Sequence, residues 1–213
     1  MRQTRTVEIF MRKLVFGLGM SAAMLFTGGI GFAAPFMCDS KPLLDATPDD
    51  ISRMDNFYTS RTRGLGAALA AESDAEQKIV SELFESGLAP VDETLLPGNY
   101  ECRTIKMGGI SPLVVYSWFR CEIRPEEAVY TIRKTTGSQN FFGVLRKRND
   151  LFVYQGASSY GYEDGVRLYG DDEERNQVGC LSAVTKGNRH FILELPFPRF
   201  ESYHDVIELR PVN

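Results

Sequence analysis

Residues 99–123 read NYECRTIKMGGISPLVVYSWFRCEI. Two runs rich in β-branched and aromatic side chains, Tyr100 to Met107 and Leu113 to Ile123, flank the turn-forming segment Gly108-Gly109-Ile110-Ser111-Pro112. The stretch therefore reads as a β-hairpin. Leu113, Val115, Phe119, Cys121 and Ile123 alternate toward one face, with Tyr116, Trp118, Arg120 and Glu122 on the other. Pairing the hairpin symmetrically about its turn brings Cys102 near Cys121. A bridge there would close about 20 residues and contribute about 3 kcal/mol.

Toward the carboxyl end the same texture recurs. Runs of Val, Ile, Phe and Tyr near 128–134, 140–147, 151–156, 177–185, 189–195 and 204–210 bring the candidate strands to eight. Phe191, Leu193 and Leu195 alternate against His190 and Glu194, as expected of antiparallel sheet with one buried face. Eight consecutive strands joined by short turns suit an up-and-down barrel or a strongly rolled sheet. The glycine- and acid-rich break from Ala157 to Asn176 is expected to form a loop over one mouth.

Toward the amino end the periodicity changes to helical. Thr47-Pro48-Asp49-Asp50 is a helix start, and Ile51, Met54, Tyr58, Leu65 and Leu69 form an apolar stripe, with Gly64 and Gly66 as weak points. Ser73-Asp74-Ala75-Glu76 opens a second helix as a capping box, Ile79, Val80, Leu83 and Phe84 form its apolar face, and Gly87 ends it. Such stripes cannot be covered by the hairpin alone. The fold expected is α+β: a helical hairpin docked on an antiparallel, about eight-stranded β-barrel or rolled sheet of calycin-like form. The organisation read along the chain is 1–33 signal peptide, 34–46 extended leader, 47–98 helical hairpin and linker, and 99–213 antiparallel β domain.

The first segment is read from its order of charges. Arg2, Arg5, Arg12 and Lys13 precede 19 uncharged residues, Leu14 to Phe32, which end at the small-residue site Gly31-Phe32-Ala33. This is the layout of a secretory signal cleaved after Ala33, with Met1 or Met11 as the start. The alternative is an uncleaved membrane anchor of the same 19 residues. Cleavage would remove four of 24 basic and one of 28 acidic residues, leaving 20 against 27, a net charge of −7. An acidic exported chain argues against nucleic-acid binding, which needs clustered Lys and Arg. The dense basic run Arg146-Lys147-Arg148, followed by Asn149-Asp150, reads as a solvated hairpin turn. Periplasmic or secreted placement in a bacterial envelope is expected, with membrane contact only through the signal segment before cleavage.

Four cysteines remain: Cys38, Cys102, Cys121 and Cys180. An even count in an oxidising compartment points to disulfides. Besides Cys102–Cys121 the remaining pair is Cys38–Cys180; four free buried thiols are the alternative. No metal site is expected, since no Cys-x-x-Cys occurs and His190 and His204 lack an i,i+4 partner.

Six segments carry a further pattern: Gly98-Asn99-Tyr100-Glu101-Cys102-Arg103-Thr104-Ile105-Lys106; Trp118-Phe119-Arg120-Cys121; Lys134-Thr135-Thr136-Gly137-Ser138-Gln139; Tyr169-Gly170-Asp171; Glu174-Arg175-Asn176-Gln177-Val178-Gly179; and Leu195-Pro196-Phe197-Pro198-Arg199-Phe200-Glu201-Ser202. In this order, over about residues 47 to 210, they resemble the family of exported bacterial proteins known as domain of unknown function 4893 (DUF4893). The resemblance implies an envelope protein and brings no catalytic or binding residue with it. Asn176 stands where the pattern is expected to carry Asp, which weakens an acid role there.

The polar members of these segments, Arg103, Lys106, Arg175, Gln177, Arg199 and Glu201, are the candidate ligand-binding set. Guanidinium forks suit an anionic or sugar-like ligand, while a set of structural salt bridges is the plainer reading. Ser138 has no base nearby in sequence. Asp171-Asp172-Glu173-Glu174 lacks the alternate spacing and glycine of a calcium loop. His204 and Asp205 should face opposite sides of one strand. The aromatics Tyr116, Trp118, Tyr130, Phe142, Phe152 and Tyr154 are expected in the core. No catalytic set assembles and no cofactor is implied. The function expected is a non-enzymatic binding module for a small ligand or envelope component. The alternatives are a protein-binding module such as an inhibitor of a cell-wall hydrolase, and a hydrolase using Glu201 and His204.

Overall fold

The structure, a computed structural model, describes residues 38–85, 87–184 and 189–212, so the expected signal peptide lies outside the described residues. Strands β1 (Gly98–Met107), β2 (Leu113–Val115), β3 (Phe119–Glu126), β4 (Val129–Lys134), β5 (Gln139–Arg148), β6 (Leu151–Tyr160), β7 (Asn176–Ala183), β8 (Phe191–Pro196) and β9 (His204–Pro211) are all antiparallel. The order β1-β3-β4-β5-β6-β7-β8-β9 closes because β9 also pairs with β1, which makes an eight-stranded barrel. β2 continues the β3 edge of β1 and lies outside the closed ring.

The first hairpin is bent. Cys102 pairs with Phe119, but Ile105 pairs with Val115, so two residues of β1 face three of its partner, Tyr116 to Trp118. One extra residue reverses the facing of every side chain beyond it. The expected single stripe is therefore split. Phe119, Cys121 and Ile123 turn into the barrel, whereas Leu113 and Val115 turn outward beneath the helices. On β1 the even-numbered Tyr100 and Cys102 point inward and Ile105 and Met107 outward.

The barrel interior is filled by alternate residues such as Ile123, Ile132, Leu145, Phe152, Leu181 and Leu209. Ala89, Val91 and Leu96 of the linker join that core and plug one end. On β6 to β9 the outward face is buried too, because the helices cover it. The single buried face expected for these strands holds only for the β3–β5 side.

Helix α1 (Pro48–Asp55) begins as expected, with the Asp50 N–H donating to the Thr47 Oγ1 at 3.1 Å. The long first helix is interrupted at Asn56 and resumes as α2 (Phe57–Ala68). Its buried stripe is Asp50, Arg53, Phe57, Ser60, Gly64 and Ala68 together with Met54, while Ile51, Tyr58 and Leu69 are exposed. The expected apolar stripe is thus rotated: polar side chains lie against the wall because they find partners there. Gly64 is where α2 crosses closest. A Cβ on it would lie 2.7 Å from His204 Cβ and 3.2 Å from Met107 Cβ. Helix α3 (Asp74–Glu85) packs Val80 and Leu83 on the outward side of β1, β2 and β9. Its capping box is half formed: the Glu76 N–H donates to Ser73 Oγ, but the Glu76 carboxylate instead accepts from the Val115 N–H.

Both disulfides are present. Cys102–Cys121 lies inside the barrel with Cα atoms 5.8 Å apart, spanning a diagonal of the β1–β3 ladder. Cys38–Cys180 joins the leader to the outward face of β7 with Cα atoms 5.9 Å apart.

Candidate functional site

The barrel end opposite the linker plug holds a cavity of about 590 Å³. It is built where β1 and β4 to β9 terminate, and side chains facing the interior below become polar there. From β1 come Thr104 and Lys106, from β4 Lys134, from β6 Ser158 and Tyr160, and from β9 Asp205. The loop before β7 adds Arg175, and the loop before β9 adds Arg199, Phe200 and Glu201. Five of the six candidate residues, Lys106, Arg175, Gln177, Arg199 and Glu201, thus line one cavity.

Arg103 does not join them. It sits on the outward face of β1, where its Nε donates to Glu208 at 2.6 Å and its guanidinium lies 4.4 Å over the Trp118 ring. Glu208 also accepts from His190 at 2.9 Å and from Arg210 at 2.7 Å. This is a structural cluster outside the barrel.

Two electrostatic halves share the mouth. On the β8-β9-β1 side, Lys106 pairs with Glu201 beside the buried Asp205. Burial pushes the Asp205 carboxyl up to about 6, against the Ser202 hydrogen bond and the Lys106 charge. Burial alone would lower the Lys106 ammonium, but the Glu201 hydrogen bond and the Asp205 charge outweigh it and raise it. On the β4-to-β7 side the cations are Lys134 and Arg175. Burial lowers the Lys134 pKa. Its Nζ donates to the Gln139 carbonyl at 2.7 Å and stands 3.8 Å from the Phe119 ring centre. Arg175 stacks 4.2 Å over Tyr160.

Below Arg175, Asn176 ties the loop to α1. Its Nδ2 donates to Asp50 Oδ2 at 3.1 Å, and its Oδ1 accepts from the Gly170 N–H at 2.9 Å. An aspartate there would set a second carboxylate against Asp50, so asparagine suits this contact. Burial alone would raise the Asp50 carboxyl, but the Tyr169 hydroxyl and the Arg53 guanidinium outweigh it and lower it. The acidic run is spent on turns: Asp171 accepts from the Leu168 N–H and Asp172 from the Glu174 N–H.

Sequence reasoning missed one constellation. Ser60 Oγ lies 2.8 Å from His204 Nδ1, and His204 Nε2 lies 3.0 Å from Glu194 Oε1. The distances match a nucleophile, base and orienting acid. The setting does not: Ser60, His204 and Glu194 are all 0% exposed beneath α2. Ser60 also donates to the Tyr203 carbonyl at 2.6 Å and accepts from the Phe197 N–H at 3.0 Å. Arg61 forks onto Glu194, Nε to Oε1 at 2.7 Å and Nη2 to Oε2 at 2.5 Å. Burial alone would raise the Glu194 carboxyl; the His204 hydrogen bond and the Arg61 charge outweigh it and lower it. The group clamps α2 to β8 and β9. Glu201 lines the cavity from the loop before β9, whereas His204 is held beneath α2 by Ser60 and Glu194, and neither histidine is among the residues that line the cavity. Tyr116, expected in the core, is 38% exposed at the mouth.

Fold and site together define a disulfide-bonded, closed β-barrel with a polar cavity at one open end. Two disulfides place such a chain in an oxidising, extracytoplasmic setting. The family model of the domain of unknown function (DUF4893) matches residues 44–209, and the chain belongs to that family. No curated protein and no solved structure matches the chain.

Proposed function

We propose that the protein is a non-enzymatic binding module of the bacterial periplasm or the secreted fraction, which takes a small polar ligand into its barrel mouth. The observation that carries this reading is the convergence of Lys106, Lys134, Ser158, Arg175, Gln177 and Asp205 on one open cavity that neither histidine reaches. Polar groups converging in a concave site of this size are the usual basis of small-ligand recognition. The test is a thermal-shift screen of the oxidised protein against sugars, sugar acids, sugar phosphates and cell-wall fragments. A ligand should raise Tm in the native chain and not in Ser158→Phe, whose ring fills the mouth. A library with no hit, or hits that persist in Ser158→Phe, would count against the reading.

A protein partner is the second reading. Ile110 is 85% and Phe200 55% exposed, and their loops are joined by the Ile110 N–H to Glu201 carbonyl bond of 2.8 Å. Exposed apolar side chains beside a charged mouth suit a partner such as a wall hydrolase.

A further inference from the structure

We infer that Lys134 and Arg175 form an oxyanion subsite in the mouth, so that the ligand is a hydroxyl-rich molecule bearing a carboxylate or phosphate. This deepens the binding-module reading and rests on it.

Partner accounting separates these two cations from the rest. Five basic residues line the cavity. Arg53 is paired with Asp50, Lys106 with Glu201, and Arg199 with Asp49 at 3.2 Å. Lys134 and Arg175 have no carboxylate within 4 Å among the described residues. Glu163 faces the Arg175 charge but is bonded to Arg167 and to the Tyr160 N–H. Glu174 lines the same half, is exposed, and pairs with neither.

Their geometry converges. Gln139 and Tyr160 face each other across the β5–β6 ladder. Lys134 is bonded to the Gln139 carbonyl, and Arg175 lies on the Tyr160 ring. Both cations therefore flank one cross-strand pair, each braced by an aromatic face that orients it and accepts no N–H edge. Two of the three Lys134 donors and the five of Arg175 are left without a protein acceptor among the described residues. A guanidinium fork beside an ammonium is the donor set that carboxylates and phosphates accept from.

The surroundings specify hydroxyls. Ser138, Ser158 and Gln177 are neutral hydrogen-bonding groups on this half. Across the mouth, Glu201 and Asp205 are further acceptors. Sugar acids and sugar phosphates have this combination of one charged group and several hydroxyls.

The test is calorimetric titration of the oxidised protein with glucuronate, glucose 6-phosphate, inorganic phosphate and glucose. Both charged sugars should bind, more weakly as NaCl rises, and their relative affinities tell a carboxylate site from a phosphate site. Lys134→Gln and Arg175→Gln should each weaken them by about tenfold, the worth of one charge-assisted hydrogen bond. Arg120→Gln, which removes a cation on the outside of the barrel, should not; melting curves establish that all three variants are folded. Glucose bound as tightly as glucuronate, or charged sugars bound equally by native and variant chains, would overturn the oxyanion subsite and leave the binding module standing. Failure of both charged sugars and phosphate, while a neutral ligand of the screen binds, would likewise overturn the subsite alone. Failure of every ligand in both experiments removes both proposals.

Discussion

Asp205→Asn should make the protein more stable at neutral pH. Asp205 lies 7% exposed at the cavity floor, and its carboxyl is pushed from the ordinary 3.8 up to about 6, chiefly by burial. A folded-state value above the unfolded one means that the native fold holds this proton more tightly. The corresponding stability is complete below pH 4 and is lost as pH rises through 6. A shift of about two units at about 1.4 kcal/mol each corresponds to roughly 3 kcal/mol of destabilisation above pH 7. Asparagine has nearly the same shape, carries no charge, and keeps an oxygen to accept from Ser202 Oγ. The attraction of Lys106 is already contained in that net shift, so about 3 kcal/mol is the whole of the expected gain. At about 2–4 °C per kcal/mol for a chain of this size, Tm should rise by up to roughly 6–12 °C. The assay is thermal unfolding of native and variant proteins, disulfides intact, at pH 7.5 and pH 4. The gain should be present at pH 7.5 and nearly absent at pH 4. A lower Tm at pH 7.5, or an equal difference at both pH values, would refute the reasoning.

Two further substitutions test the docking of the helices. Gly64→Ala should destabilise by about 1–3 kcal/mol, because its Cβ would press on His204 and Met107. Gly66→Ala, two residues on in the same helix with nothing within 4 Å, should stabilise by about 0.5–1 kcal/mol; denaturant unfolding that gave the same sign for both would contradict the close crossing at Gly64. Arg61→Met should cost about 3–5 kcal/mol in the same assay, since it strips the fork from the fully buried Glu194. An unchanged midpoint would mean that the clamp on α2 contributes nothing.

Much of the barrel is readable in the sequence because strands with one lining face repeat every second residue, and eight such runs lie between clear turns. The expected strands near 140–147 and 204–210 are β5 and β9, with small changes at their ends. The bulge at Tyr116–Trp118 leaves no mark in the pattern, since Leu113 and Phe119 are apolar whichever way they face. The helical stripe misleads for the converse reason: Asp50, Arg53 and Ser60 are buried by virtue of partners distant in sequence, Tyr169, Asn176 and Tyr203. At the site, the charged residues in the loops before β7 and β9 stand out as candidates, whereas Lys134, quoted only within a segment, and Asp205, weighed only beside His204, do not, because each lies at one end of a strand that reads as wall. The place of Arg103 is within reach of the sequence. Cys102 must face inward to bridge Cys121, so Arg103, its neighbour, must face out, and Lys106, four residues on, must face in.

The seam between β1 and β9 sets a schedule for folding. It joins Met107 to His204 and Tyr100 to Pro211, residues about 100 apart, whereas the remaining barrel neighbours follow one another closely in the chain. Contacts of such separation form slowly. The Cys102–Cys121 bond needs only the first hairpin, and Cys38–Cys180 must wait for β7, but neither closes the ring. Until the last eight-residue strand arrives, β1 and β8 each hold a row of unpaired backbone groups. A chain cut after Tyr203 would keep both rows permanently, and its natural fate would be to find them in another copy of itself, strand against strand.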